Sequence, residues 1–472
     1  MKIRFKYAWL VALLLSFGIV KAQEKPNIIL ICADDLGWSD IGCYGSEVQT
    51  PNLDKLADEG IRFRHFHNTS KCFPSRSCLL TGIYAQQNGY AKNFKQPLTN
   101  SVTLGEVLKM AGYRTLWSGK HHGLENPVIR GFDRYYGLKD GACNYFNPGN
   151  QRPGEGAPAR KGAPGKKTVR SWCIDSVMYE PYPPEAKDFY TTDYFTKTAV
   201  DWLEQYKNEK QLKSGLLNKS FKLSEPTYQN WETLDDSIRR DEIRKMEVYA
   251  AMIDRLDQNI GRILAKLREI GEEKNTLILF MSDNGASAEM VNITDDYGEI
   301  GTMTRWASLG KDWANVGNTP FRFFKNFSYE GGINTPLIAW WPSKIKANTF
   351  SDFSGHFIDI MATLVDLTGA RYPNQFNNQQ ITPMQGQTLL PAFYGENPAR
   401  EKPIYWEWQD GQAVYFNSWK IVKEGLDNPW DLYNIEEDPT ETKNLARQYP
   451  AKVKELGQLF SEWKSGLPEA SK

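Results

Sequence analysis

Two uninterrupted apolar runs dominate the chain: residues 27–32 (Asn-Ile-Ile-Leu-Ile-Cys) and 276–281 (Thr-Leu-Ile-Leu-Phe-Met). Neither alternates with polar residues. A strand buried on both faces, as in the sheets of α/β folds, has this pattern. Between and around them the periodicity is helical. Met246, Tyr249, Ile253, Leu256, Ile260, Ile263, Leu264 and Leu267 recur at 3.6-residue spacing and predict a helix over 246–270, ended by Gly271. Shorter helices are predicted over 50–59, 104–111, 191–206 and 357–367, and further strands over 61–67, 113–118 and 337–341. In the 61–67 strand Phe63, His65 and His67 would share one face, and both histidines read as core residues. Past residue 403 the pattern changes. Short strand-like pieces at 404–406, 413–416 and 419–422 imply a small antiparallel sheet, closed by a helix over 450–465. The expected fold is α/β: a mostly parallel central sheet flanked by helices, with a small C-terminal α+β subdomain. The expected division is 1–22, 23–395 and 396–472.

The first 22 residues belong to neither layer. Lys2, Arg4 and Lys6 precede an apolar stretch over 8–20, and Val20-Lys21-Ala22 offers a cleavage site. This is the pattern of a secretory signal peptide, and the stretch is short for a membrane span. A secreted or periplasmic protein is implied, with no membrane span once the signal is removed. Lys and Arg together number 57 and so do Asp and Glu, so no overall field favours nucleic acid or an anionic membrane. Any anion site must be built locally. The 15 Trp and 23 Tyr suit a sugar-stacking surface as well as a large core. Six cysteines in 472 residues do not make a disulfide scaffold; Cys143 with Cys173 is the one pair to consider. Residues 148–169, rich in Gly, Pro, Lys and Arg, read as a surface loop.

The chemistry gathers where elements end. Lys71-Cys-Phe-Pro-Ser-Arg-Ser-Cys-Leu-Leu-Thr-Gly82 starts as a helix and stops at its glycine. Cys72 falls at the N-terminus, where free N–H groups favour an anion, and Arg76 lies one turn on. Asp34-Asp35 follows the first apolar run and Ser282-Asp283-Asn284-Gly285 follows the second. Two buried strands thus deliver paired oxygen ligands to one sheet edge, a donor set suited to Ca²⁺ or Mg²⁺. Gly119-Lys120-His121-His122 follows the strand at 113–118; Lys120 and His122 share a side if the chain stays extended there. Lys325, in Thr319-Pro-Phe-Arg-x-x-Lys325, is a second candidate ammonium.

Cys72-x-Pro-Ser-Arg followed by Leu80-Thr-Gly resembles the signature of the type I sulfatases, of the alkaline-phosphatase-like superfamily. The order of motifs resembles that family along nearly the whole chain: Asp34-Asp35, the Cys72 segment, Gly-Lys120-x-His122, Gly131-Phe-Asp-x-Tyr-Tyr-Gly, Ser-Asp283-Asn284-Gly, Thr-Pro-Phe-Arg-x-x-Lys325, Glu330-Gly-Gly and Trp430-x-Leu-Tyr. The resemblance implies that a maturation enzyme oxidises Cys72 to formylglycine, whose hydrate attacks sulfur. It implies one Ca²⁺ held by Asp34, Asp35, Asp283 and Asn284 with residue 72. Arg76 and Lys120 would hold the nucleophile and the sulfate, Lys325 would contact the sulfate, and His122 would help break the sulfated hemiacetal. A sulfated small molecule or glycan is the implied substrate. The rival readings are a phosphate or phosphonate ester hydrolase of the same fold and an impaired or inactive glycan-binding relative.

One departure gives the second rival its weight. The family places another His, after a mid-chain strand, near the leaving oxygen. Here no His occurs between His122 and His356, and the stretch after residue 206 is polar. A positioned general acid is typically worth about 10²–10⁴-fold in rate. Aryl oxides depart with little proton help, whereas sugar alkoxides need it. Turnover number is therefore expected to be higher on aryl sulfates than on sugar sulfates; kinetics showing equal impairment on both would contradict this.

Overall fold

The computed structural model describes residues 25–149, 151–159, 169–206, 231–291 and 296–468. The signal-peptide pattern and residues 207–230 of the polar mid-chain stretch lie outside the described residues.

The two apolar runs form β1 (Asn27–Ala33) and β8 (Thr276–Ser282), numbered along the chain. They pair in parallel; β8 is buried along its whole length, whereas β1, at the edge of the sheet, is half-buried over residues 28–32 rather than fully buried as its pattern predicts. The sheet continues through β9 (Leu337–Trp340), β2 (Ile61–Phe63) and β10 (Thr349–Ser351), in the order β1-β8-β9-β2-β10. The sheet is mixed: β1·β8 and β2·β10 are parallel, while β9 runs against both of its neighbours. The reason the runs do not alternate is visible in the packing. Leu277, Leu279 and Met281 face one core with α2 (Cys72–Thr81), α3 (Leu104–Met110) and α6 (Ile358–Thr368), whereas Ile278 and Phe280 face a second core. That second core holds α1 (Pro51–Asp58) and the inner stripe of α5 (Asp236–Glu269), Ile253, Ile260, Ile263, Leu264 and Leu267. α5 also caps α1 in trans: buried Asp257 accepts from the backbone N–H of Asn52 at 3.1 Å and of Leu53 at 2.7 Å.

A second sheet, β4 (Leu116–Ser118), β5 (Arg134–Leu138), β6 (Trp172–Ile174) and β7 (Val177–Tyr179), lies beside α4 (Thr191–Gln205) around a small core of Tyr136, Trp172, Phe189 and Trp202. Near the C-terminus, β12 (Ile404–Trp408), β13 (Gly411–Phe416), β14 (Trp419–Glu424) and β15 (Asp431–Asn434) form an antiparallel meander against α7 (Pro450–Ser465). No helix among the described residues is long and apolar enough to cross a membrane.

Four details differ from the pattern-based expectation. α5 begins ten residues before Met246, because its first turns are charged and carry i,i+3 ion pairs such as Lys245–Glu242 at 2.6 Å rather than an apolar stripe. The strand expected over 113–118 spans only 116–118. The strand expected over 61–67 is two: after Phe63 the chain leaves the central sheet, and β3 (Phe66–His67) pairs with β11 (Gly355–His356). Cys143 and Cys173 are both free thiols. Both histidines of the 61–67 segment are buried, in keeping with core positions.

His67 ties the two ends of the molecule together. Its Nδ1 meets the Gly355 carbonyl at 3.0 Å and its Nε2 the Glu330 carboxylate at 3.1 Å. Glu330 is held in turn by Lys420 of β14 at 2.7 Å, and Lys420 also reaches Glu441 at 2.8 Å. All of these groups are buried. Removing one partner of such a cluster leaves an uncompensated buried charge. Lys420→Ala is expected to cost about 3–5 kcal/mol in denaturant unfolding, and the triple change Lys420→Met, Glu330→Gln, Glu441→Gln to cost less; an unchanged midpoint for Lys420→Ala would contradict the cluster's role.

Candidate active site

The register of the β1·β8 pair builds the acidic half of the site. β1 and β8 stay in step from Asn27 opposite Thr276 to Ala33 opposite Ser282, so the next residues, Asp34 and Asp283, leave the sheet side by side. The N–H of Asp283 donates to the Ala33 carbonyl at 3.1 Å. Asp35 takes a left-handed conformation (φ 59°), which turns the chain back over β8. Its N–H donates to Asp283 Oδ1 at 3.3 Å and its carboxylate accepts from Asn284 Nδ2 at 2.7 Å. One oxygen from each of Asp34, Asp35 and Asp283 lies within 4.8 Å of the others. Burial and the neighbouring carboxylates, against the pull of Arg76, push Asp283 up to about 6.

α2 supplies the opposite wall. Lys71 is extended at the N-cap, and Cys72 is the first helical residue, 4% exposed. Burial pushes its thiol up, while Lys120 and Lys325 pull it down and Asp283 and Asp35 push it up, so the sulfur lies within electrostatic reach of all four. One turn on, Arg76 donates from Nε to Asp283 Oδ2 at 2.7 Å and from Nη1 to the Lys120 carbonyl at 2.9 Å, with Asp34 at 3.6 Å. The helix stops at Gly82 (φ 71°), where a Cβ would strike the Met361 side chain of α6.

Each acid faces a cation of its own. Lys120 donates to Asp34, Lys325 to both oxygens of Asp35 at 2.7 and 2.9 Å, and Arg76 to Asp283. Burial works against the charge on Lys325, but Asp35, Cys72 and Glu289 outweigh it and hold the ammonium well above its ordinary range. His122 does not continue the strand: its φ of 60° breaks the extended course that would have kept it on one side with Lys120. Its ring instead sits edge-on to Phe73 and Phe94, with Nδ1 buried and unpartnered. Burial, then Lys120 and Arg76, depress it well below the usual range, so the imidazole is neutral. His121 is likewise pushed down, to about 3, by burial.

Three groups at the site carry no motif. Glu289 accepts from Lys71 and lies 3.0 Å from Lys325, bridging the helix start to the lysine loop. Asp40 receives the Gly37 N–H at 2.6 Å and the Tyr249 hydroxyl at 2.5 Å, which anchors α5 behind the Asp34-Asp35 turn. Tyr249 reads in the sequence as one more apolar stripe position; only its hydroxyl's partner reveals the second role.

Against known proteins, residues 26–370 match the sulfatase family model. The chain belongs to the sulfatase family. It is a sulfuric ester hydrolase. Residues 320–464 match the C-terminal region of N-sulphoglucosamine sulphohydrolase. This sulfatase is 30% identical to an arylsulfatase of Klebsiella aerogenes over 81% of this chain and 96% of that one. It is 28% identical to the N-acetylgalactosamine-6-sulfatase of Mus musculus over 89% and 78% of the two chains. Its fold superimposes on crystalline Ps i-CgsB with a TM-score of 0.71 at 26% identity, covering 95% and 94% of the two chains. The phosphonate monoester hydrolase of Agrobacterium radiobacter, at 17% identity and TM-score 0.63, shares the fold.

Proposed function

We propose that this sulfatase is an exported enzyme that hydrolyses sulfate esters of carbohydrates, using formylglycine made from Cys72 and one Ca²⁺. The reading rests on one arrangement: three carboxylates from two strand ends converge beside a buried helix-start cysteine and three cationic side chains. The acidic set fits a hard divalent cation. It offers only oxygen ligands, and Asn284 Oδ1 is buried with no protein partner. Asp34, Asp35, Asp283 and Asn284 would hold Ca²⁺, which would supply positive charge for the sulfuryl oxygens. Oxidation of Cys72 by a maturation enzyme would supply a hydrated aldehyde as the nucleophile. The remaining roles fall to the chain itself. Arg76 fixes Asp283 and the Lys120 backbone with one planar guanidinium, which orients both walls. Lys120 and Lys325 present ammonium groups that can exchange a carboxylate partner for sulfate oxygens, charge-assisted contacts that strengthen as charge develops. His122, neutral and unpartnered at Nδ1, can hold or move a proton at that atom. Export is supported by the leader pattern of residues 1–22. A carbohydrate substrate is supported by Ps i-CgsB, which has been crystallised with a neocarrahexaose.

The mass of the peptide containing Cys72, taken from protein made in its native host, is expected to show loss of the thiol and gain of an aldehyde. An intact thiol there would favour a binding protein. p-Nitrophenyl sulfate is expected to be turned over faster than p-nitrophenyl phosphate; the reverse order would assign the site to phosphate esters. Ca²⁺ added to chelator-treated protein is expected to raise the thermal midpoint by several degrees, and Asp283→Asn to abolish that shift. A wild-type midpoint indifferent to Ca²⁺ would rule out the metal assignment.

A further inference from the structure

A cleft of about 680 Å³ opens between the N-terminal half of α5, the start of α4 and the chain around 146–155 and 301–303. Its volume is that of a small-ligand pocket. Val248 and Met252 of α5 contribute to its floor, and the rings of Phe146 and Tyr190 to its wall. The helix that lines the cleft also backs the acidic cluster: the hydroxyl of Tyr249, beside Val248 on α5, lies 2.5 Å from Asp40 and 3.4 Å from the Asp35 carbonyl. Tyr190 stacks on Tyr145 at 5.8 Å between centroids, and the Tyr145 carbonyl accepts from Thr191 N–H at 2.9 Å. Around the rim the charges cancel. Arg152 pairs with Glu155 at 2.6 Å, Arg244 with Glu247 at 3.1 Å and Arg255 with Asp193 at 2.6 Å, and Lys187 adjoins Asp188.

An aromatic wall with an apolar floor suits the face of a sugar ring, and a rim of paired charges offers donors and acceptors to hydroxyls without a net field for a second anion. The contrast with the reaction site is direct, since there Arg76, Lys120 and Lys325 crowd together. We propose that this cleft is a distal subsite that binds an unsulfated sugar of an oligosaccharide whose sulfated unit occupies the reaction site. The subsite rests on the assignment of carbohydrate sulfates as substrates. It makes the enzyme one that acts on chains rather than on single sugars.

The test compares kcat/KM on p-nitrophenyl sulfate, sulfated monosaccharides, and carrageenan and chondroitin sulfate oligosaccharides, for wild type, Tyr190→Ala and Met252→Arg. Met252→Arg fills the floor from the surface of a long helix and guards against a folding defect in Tyr190→Ala. Wild type is expected to favour at least one oligosaccharide over its sulfated monosaccharide. Both variants are expected to lose about tenfold on that oligosaccharide, through KM, with p-nitrophenyl sulfate unchanged. A preference for monosaccharides, variants indistinguishable from wild type, or an equal loss on every substrate would each overturn the subsite. Turnover of p-nitrophenyl sulfate with no carbohydrate sulfate accepted would overturn both the subsite and the carbohydrate assignment, while leaving the sulfatase activity in place.

Discussion

Seven residue pairs in parallel register between β1 and β8 are the constraint on which the site depends. A strand pair fixes not only which residues adjoin but which residue comes next. Because Ala33 and Ser282 close the ladder opposite each other, Asp34 and Asp283 emerge at the same height and on the same edge. A slip of one residue would move every side chain of the strand to the other face, exchanging the two cores that Leu279 and Phe280 separately fill. The packing of both faces therefore locks the register, and the register locks the carboxylates. The stability of the sheet and the geometry of the chemistry are one problem.

Concentrating three carboxylates at a sheet edge is unfavourable unless opposite charge is brought close. The fold answers with cations from three separate places: Arg76 from the first turns of α2, Lys120 from the turn after β4, and Lys325 from the loop before β9. None of them belongs to the strands that carry the acids. The assembly is a checkerboard in which each acid has its own cation. Glu289 extends the pattern one step outward by joining Lys71 to Lys325.

The C-terminal meander contributes to this edge at one remove. Lys420 and Glu441 hold Glu330, Glu330 holds His67, and the segment from Arg322 to Asn334 that carries Lys325 is pinned between them. Trp406 adds a hydrogen bond from its indole to the Asn68 carbonyl at 2.7 Å, a few residues before Cys72. The small sheet thus braces both the helix start and the lysine loop, though it places no side chain among the carboxylates.

Local pattern carries much of this architecture. The two apolar strands, the core stripe of α5, the stop at Gly82, the meander and the closing helix all follow from periods of apolar residues and from chain-terminating glycines, which are local properties; that β8 is buried on both faces while β1 is a half-buried edge strand does not. So do Asp34-Asp35 and Asp283-Asn284 as strand-end pairs. What local pattern does not carry is anything decided by a distant partner. The split of 61–67 into two strands depends on β9, β10 and β11. The early start of α5 depends on surface ion pairs without an apolar stripe. The turn at His122 depends on the aromatic box of Phe73 and Phe94, and the roles of Glu289, Tyr249 and Lys420 depend on contacts spanning from 90 to more than 200 residues. Sequence by itself determined which residues are able to form each element and which carry reactive groups, because those are matters of period and chemistry. Only the tertiary structure decided which of those groups meet, because strand register, sheet order and the burial of charge are settled by packing between segments far apart in the chain.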